Sequence, residues 1–253
     1  EQEVEIKAGA TATVEATLKR LVQTPGWGST DFHNHSTPSG DNQCGTDDRI
    51  ISLAAEHIEF APATEHNRIY DWAPHIKKLG LTNVLSTIIG MELTGAGAGS
   101  HFNCFPLTPK AFTQDHGAPV HHNDPRLNAI ILRDWGGPRA DRWLHIDHPD
   151  MIEKFIDRNA DSLPDGGFAG LENMIDGIET QNYSASQVLS GVPWRIQKRG
   201  GREYVRQNWE FIWLQMLNRG HGYHAVAVCD AHSVYGNGVG GWRTYVKSST
   251  DNP

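Results

Sequence analysis

Cysteine is scarce: the 253 residues contain only Cys44, Cys104 and Cys229. Three scattered thiols cannot make a disulfide framework, and one must stay unpaired within the chain. Long apolar runs are missing as well, and nothing approaches the ~20 consecutive apolar residues of a membrane helix. Positive charge is short, with 22 Lys and Arg against 30 Asp and Glu and a formal charge of −8. That balance argues against a nucleic-acid groove or an anionic membrane surface, since both recruit an excess of Lys and Arg. Internal repeats and low-complexity tracts are absent. Glu1 is neither a translation start nor the beginning of a signal peptide, so the expectation is a processed or trimmed chain. These exclusions leave a chain long enough for a sizeable core, in one barrel or two smaller domains, with a small molecule or a metal as its partner.

What the sequence has in quantity is histidine. There are 14, and most stand beside Asp, Asn, Glu or another His, an enrichment that points to metal ligation. Residues 3 to 22 alternate apolar and polar side chains and read as a hairpin or the last strands of a β-rich module. From Pro25-Gly26-Trp27-Gly28 onward, short apolar runs alternate with helical stretches. The runs are "TDFHNH", "IEFAPATEH", "VLSTIIGMELT", "HFNCFPL", "WLHIDHP", "GIETQN" and "HAVAVCDAH". Helices are expected in "DDRIISLAAEH", with Asp47 and Asp48 in its first turn, near 70 to 79, in "MIEKFIDRNA" and in "YVRQNWEFIWLQMLNRG", closed by Gly220. This alternation predicts an α/β fold with a largely parallel sheet.

Nearly every apolar run ends in a side chain able to ligate: His33 and His35, Glu65 and His66, Glu92, His101, His148, Glu179, then Asp230 and His232. In barrels and open α/β sheets, sites are assembled at the C-terminal ends of strands. Side chains at i and i+2 of a strand share a face, so His33 and His35 can reach one metal, as can Asp230 and His232. Glu92, the lone carboxylate of its apolar run, suits a bridge between neighbouring ions. Asp41, in "PSGDN", is placed to return a carboxylate from the loop. His57, His75, His116, His121, His122 and His224 are left as surface or outlying residues.

In order, these pieces resemble the PHP (polymerase and histidinol phosphatase) superfamily of metallohydrolases. "GSTDFHNHSTPSGD", "FAPATEHN", "GMELTG", "HFNCFPL", "HIDHP" and "VCDAHSVYGNGVG" are similar to its CehA/McbA-type branch. The resemblance covers roughly residues 27 to 248 and implies a distorted (β/α)7 barrel with a two- or three-metal centre of Zn, Mn or Fe. It implies His33, His35, Asp41, His66, Glu92, His101, His148, Asp230 and His232 as ligands. Glu65 stands where Asp is commoner, and Cys229 where Ser is common. Residues 1 to 26 lie outside it, as the tail of a preceding β-rich module or a linker, with 27 to 253 as the hydrolase domain. An exported, periplasmic or extracellular, location goes with that arrangement.

The function so implied is hydrolysis by metal-activated water, on an anionic phosphoester by preference. His101, His66 and Glu65 are the candidates for orienting ligands or moving a proton. Arg243, in "GVGGWRTYV", is the candidate for holding an anionic group, with a surface salt bridge as its alternative. Segment 112 to 142, with Arg126, Arg133, Arg139 and Arg142, is the expected lid or pocket wall. Trp72, Trp135, Trp143 and Trp242 offer the contrary reading of an apolar pocket for an aryl ester or carbamate. Two rivals remain: an amide, carbamate or ester hydrolase on the same scaffold, and a non-catalytic domain with a structural metal.

Overall fold

The computed structural model describes residues 3–17, 23–95, 101–137, 141–148, 154–159, 165–180, 194–199, 202–207, 209–236 and 238–249. The chain order is β1 (Trp27–Thr30), α1 (Thr46–Ala55), α2 (Ala73–Lys78), β2 (Met91–Leu93), β3 (Phe102–Phe105), α3 (Pro125–Arg133) and β4 (Trp143–Ile146). It continues with β5 (Gly177–Thr180), β6 (Trp194–Arg199), β7 (Arg202–Gln207), α4 (Trp209–Asn218), β8 (His224–Ala227) and β9 (Thr244–Lys247).

The main sheet has five strands in the order β2-β3-β4-β5-β8. β4, β5 and β8 pair in parallel, whereas β3 is antiparallel to both β2 and β4. Only β3 therefore runs against the common direction, so the sheet is mixed: four strands share one direction, and two of its four pairings are antiparallel. The connection from β2 to β3, residues 94–101, is too short for a crossover helix, so the chain must reverse there. The consequence is functional. His101 precedes β3, and the reversal brings that N-terminal end to the same edge as the C-terminal ends of the other strands.

The ladders do not close into the expected (β/α)7 barrel, and the described residues contain four α-helices. Between β8 and β2, contact among the described residues continues as single bridges: Asn34 with Ala231, Thr30 with Phe60, Phe60 with Ser86, and His66 with Glu92. β1 and β9 form a separate antiparallel pair, and β6 and β7 another.

Local signals account for most elements. α1 carries Asp47 and Asp48 in its first turn, where carboxylates meet the positive end of the helix dipole. α3 opens on Asp124, whose side chain accepts from the amide of Arg126, followed by Pro125 at the first helical position. α4 is shorter than its apolar pattern suggests, because residues 202–207 pair with β6 as β7. Gly220 takes a left-handed φ of 90° beyond the end of α4, as expected of a stop residue. Residues 3–17 are exposed throughout and form a turn without any strand. Their alternating pattern finds no partner strand among the described residues. "MIEKFIDRNA" lies largely outside the described residues.

Two apolar clusters flank the polar centre. One gathers Met91, Leu93, Phe102, Leu144, Ile146 and Ile178 of the sheet with Ala129 and Leu132 of α3. The other packs Ile50 and Leu53 of α1 and Ile76 of α2 against Ile58, Ala63 and Trp72. Each large aliphatic or aromatic side chain buried in this way contributes about 1.5–3 kcal/mol.

Candidate metal centre

The strand edge described above brings the expected ligands together. His33 and His35 follow β1 and are fully buried, as is Glu92 in the middle of β2. His33 Nε2 lies 2.8 Å from His35 Nε2. Glu92 Oε2 is 3.2 Å from each of those nitrogens, and Asp230 Oδ1 is 3.3 Å from the first and 3.1 Å from the second.

Around that point, the proton positions can be worked out. His33 Nδ1 donates to Glu179 Oε1 at 2.5 Å. His35 Nδ1 donates to Ser39 Oγ at 3.0 Å, because Ser39 spends its own proton on Glu65. In their neutral forms both rings therefore direct Nε2 lone pairs at one another, an arrangement stable only with a cation or a proton between them. Burial opposes charge on His33, yet Glu179, Asp230 and Glu92 outweigh it and hold its pKa well above the ordinary value. Burial likewise opposes charge on His35, and hydrogen bonds to Asp230 and Glu92 overcome it. The carboxylates respond in kind: against the effect of burial, His33 keeps Glu92 well below the usual range, Glu179 down at about 2, and Asp230 far below it. The residues thus fit a divalent ion, which would replace the proton.

Glu92 and Asp230 each present two oxygens to different neighbours. Glu92 Oε1 lies 2.7 Å from His101 Nδ1, and both atoms are buried without a hydrogen bond. Asp230 Oδ2 lies 3.1 Å from His148 Nε2. A third convergence joins His66 Nε2, His232 Nε2 and Asp41 Oδ2 at 3.2 to 3.4 Å. The ligand atoms of His35, His66 and His232 lie within 4.8 Å of one another, as do those of Glu92, His101 and His148. The floor is buried, while side chains of His101, His148, His232 and Asp41 are 26, 33, 28 and 56% exposed, so one side is open. His148 and Asp230 both take left-handed backbone, φ 47° and 48°. Such strain in non-glycine residues costs about 1–3 kcal/mol and concentrates at functional sites.

Two expected participants have other partners. Glu65 is fully buried and accepts from the Ser36 amide, the Ser36 and Ser39 hydroxyls and the Trp72 indole. Its oxygens tie loops together. Arg243 donates to the carbonyls of Gly240 and Glu56 and to Ser29 Oγ. The arginines of the expected lid are also engaged: Arg126 with Asp124, Arg133 with Asp176 and two carbonyls, and Arg142 with four carbonyls. Arg139 lies outside the described residues. The Trp72 side chain is buried, and Trp143 packs within the structure against Phe32.

Glu179 stood among the strand-end residues but outside the ligand set, and it proves to be the partner of His33 and of the His148 amide. Asp147 and His145 are fully buried beside it. Both lie in "WLHIDHP", where alternation puts His145 on the face of Trp143, so the signal was present. Burial pushes Asp147 well above the ordinary carboxylate range, with Glu179 adding to it. Burial also lowers His145, which keeps that ring neutral.

Fold and site together define a mixed α/β protein with a histidine–carboxylate cluster suited to divalent ions. No protein-family model matches the chain, and no curated protein matches it. Among solved structures, the chain is similar to a two-domain protein from Bacteroides vulgatus containing a predicted PHP-like metal-dependent phosphoesterase. The TM-score is 0.51 at 16% identity, over 87% of this chain and 57% of that one. The likeness establishes a shared fold, and this chain spans little more than half the length of that protein.

Proposed function

We propose that this chain is a PHP-type metal-dependent hydrolase acting on phosphoesters. Two or three divalent ions, Zn, Mn or Fe, would be held by His33, His35, His66, Glu92, His101, His148, Asp230 and His232, with Asp41 at the rim. The observation that carries the reading is the His33–His35 pair, lone pair to lone pair at 2.8 Å, with oxygens of Glu92 and Asp230 beside both. When bound, the ions supply positive charge that acidifies water and polarises the scissile group.

The chain's own contribution is placement. Glu92 and Asp230 divide their oxygens between neighbouring clusters, and the buried floor excludes water from one side. His101, partly exposed at the open side, is the ring placed to pass a proton between the cluster and solvent. With the neighbouring arginines bound internally, metal charge is left as the attraction for an anionic substrate in an acidic protein. With Trp72 and Trp143 packed away, the case for an aryl pocket loses two of its four residues. The description of the Bacteroides vulgatus protein supports the phosphoester choice, and the sequence motifs support the CehA/McbA-type branch. The single bridges between β8 and β2 support a distorted seven-stranded barrel, and the start of regular structure at Trp27 supports a boundary near residue 26.

The test is metal analysis followed by turnover. Metal-free protein reloaded with Mn or Zn should cleave bis(p-nitrophenyl) phosphate or p-nitrophenyl phosphate faster than an aryl carbamate. Turnover confined to the carbamate would overturn the phosphoester choice, and failure to bind either metal would overturn the hydrolase reading itself.

A further inference from the structure

A buried chain of hydrogen bonds runs behind the candidate ligands, from Trp143 through His145 and Glu179 to His33. The Trp143 indole donates to His145 Nδ1 at 2.7 Å. An indole N–H only donates, so His145 Nδ1 must be the accepting nitrogen and the ring's proton must sit on Nε2. That Nε2 lies 3.2 Å from Glu179 Oε1, with hydrogen-bond geometry, and 3.3 Å from Asp147 Oδ1. Glu179 Oε1 also receives His33 Nδ1 at 2.5 Å. An ionised carboxylate only accepts, so the shared oxygen requires a proton on His33 Nδ1 and leaves Nε2 as the nitrogen that faces His35, Glu92 and Asp230.

The geometry is built for this contact. Trp143 and His145 alternate onto one face of β4, and His145 stands opposite Gly177 of β5. A Cβ on Gly177 would lie 2.7 Å from Cζ2 of the Trp143 ring, so the glycine leaves the space the indole occupies. His33 and His145 are fully buried, and Glu179 is 1% exposed. Burial keeps bulk solvent from these protons.

We propose that His145 is a positioning residue for the metal centre: oriented by Trp143, it acts through Glu179 to fix the tautomer in which His33 offers Nε2 to a metal. This rests on the metal-centre reading above. Outer partners of ligating histidines typically change metal affinity by about 10–100-fold when removed.

The experiment uses the full chain labelled with 15N-histidine, titrated with Zn, alongside long-range 15N–1H spectra of the Zn-loaded protein. In the parent, His33 should appear as the Nδ1–H tautomer. His145→Phe should weaken Zn binding about 10–100-fold and turn His33 into a tautomer mixture, while His145→Gln, which can still donate toward Glu179, stays within about threefold. Should His145→Phe fail to fold, Trp143→Phe decides, because it should release the His145 tautomer in a folded protein. Parent-like affinity in His145→Phe, an unchanged His145 tautomer in Trp143→Phe, or an Nε2–H tautomer of His33 in the parent would each overturn the proposal. His35→Ala separates the two readings: if it binds Zn as tightly as the parent, the metal centre is wrong. If it loses Zn while His145→Phe does not, only the relay is wrong.

Discussion

Arg49 donates from Nε to the carbonyl of His35 at 2.8 Å, and the same guanidinium reaches the carbonyls of Ala231 at 2.9 Å and Ser233 at 3.1 Å. One fully buried side chain of α1 thus joins the segment that carries His33 and His35 to the segment that carries Asp230 and His232. Neither an ammonium nor an aliphatic chain can reach three carbonyls in one plane. Hydrogen bonds to a charged group are worth about 1.5–3 kcal/mol each, so Arg49→Met should cost at least about 3 kcal/mol. For a chain of this size, that lowers Tm by roughly 6–12 °C. Arg49→Lys should fall between Met and the parent, and both should bind metal more weakly. Thermal unfolding and metal stoichiometry check this, and a parent-like Tm in Arg49→Met would sink it.

Metal removal should be visible in stability. A ligand that binds only the folded state adds about 2.7 kcal/mol at 100 times its Kd, which corresponds to roughly 5–11 °C in Tm. A chelator should therefore lower the parent's Tm by several degrees and leave His35→Ala unmoved, since that variant has already lost its ion. Asp230→Asn is the companion variant. It tolerates the left-handed backbone of that position, φ 48°, better than Ala would, and should lose metal while keeping its fold. If calorimetry shows equal chelator shifts in the parent and in His35→Ala, the ligands have been misplaced.

The legible part of the site was the part written in strand ends. His33, His35, His66, Glu92, His148, Asp230 and His232 could be collected because apolar runs stop near the sheet edge, although Asp230, with a left-handed φ of 48°, reaches His33 and His148 while His232 reaches His66. His101 was reached by the same pattern for a different reason, since it begins a strand that runs backwards. Strand direction is a long-range property set by the 94–101 connection, and local periodicity is blind to it. Glu179 was noticed as a strand-end carboxylate but not as the partner of His33, and His145 escaped because it looks like an ordinary residue of a buried strand until its partners are known. Glu65 reads as chemistry because it stands beside His66, and only the positions of Ser36, Ser39 and Trp72 show that its oxygens already accept hydrogen bonds. Residues 3–17 form no strand despite their alternation, because alternation makes a strand only where another strand pairs with it and the described residues hold none that does.

Glu65→Gln should accordingly act on the fold. The amide would turn an NH2 group toward donors from Ser36, Ser39 or Trp72, leaving at least one buried donor unpaired at a cost of about 1–3 kcal/mol. The expected result is a Tm lower by roughly 2–12 °C with metal content retained and a pH–rate profile of unchanged shape. A profile that loses one limb in Glu65→Gln would restore this residue as a proton carrier.

The three thiols should be silent in the folded protein. Cys229 precedes Asp230, so its reactivity bears directly on whether a thiolate competes as a ligand. Its Sγ donates to the Trp242 carbonyl at 3.1 Å, away from the histidines, and burial pushes its pKa up to about 12. Burial pushes Cys104 up to about 12 as well, and raises Cys44. Exposure is 8, 0 and 6% for Cys229, Cys104 and Cys44. At pH 8 a thiol with a pKa near 12 is ionised to about one part in ten thousand, and only the thiolate reacts. Ellman's reagent should therefore release almost no colour from native protein in the first minutes at pH 8, and three equivalents after denaturation in guanidinium. One fast equivalent in the native protein, lost in Cys229→Ser, would show that this thiol faces the cluster after all.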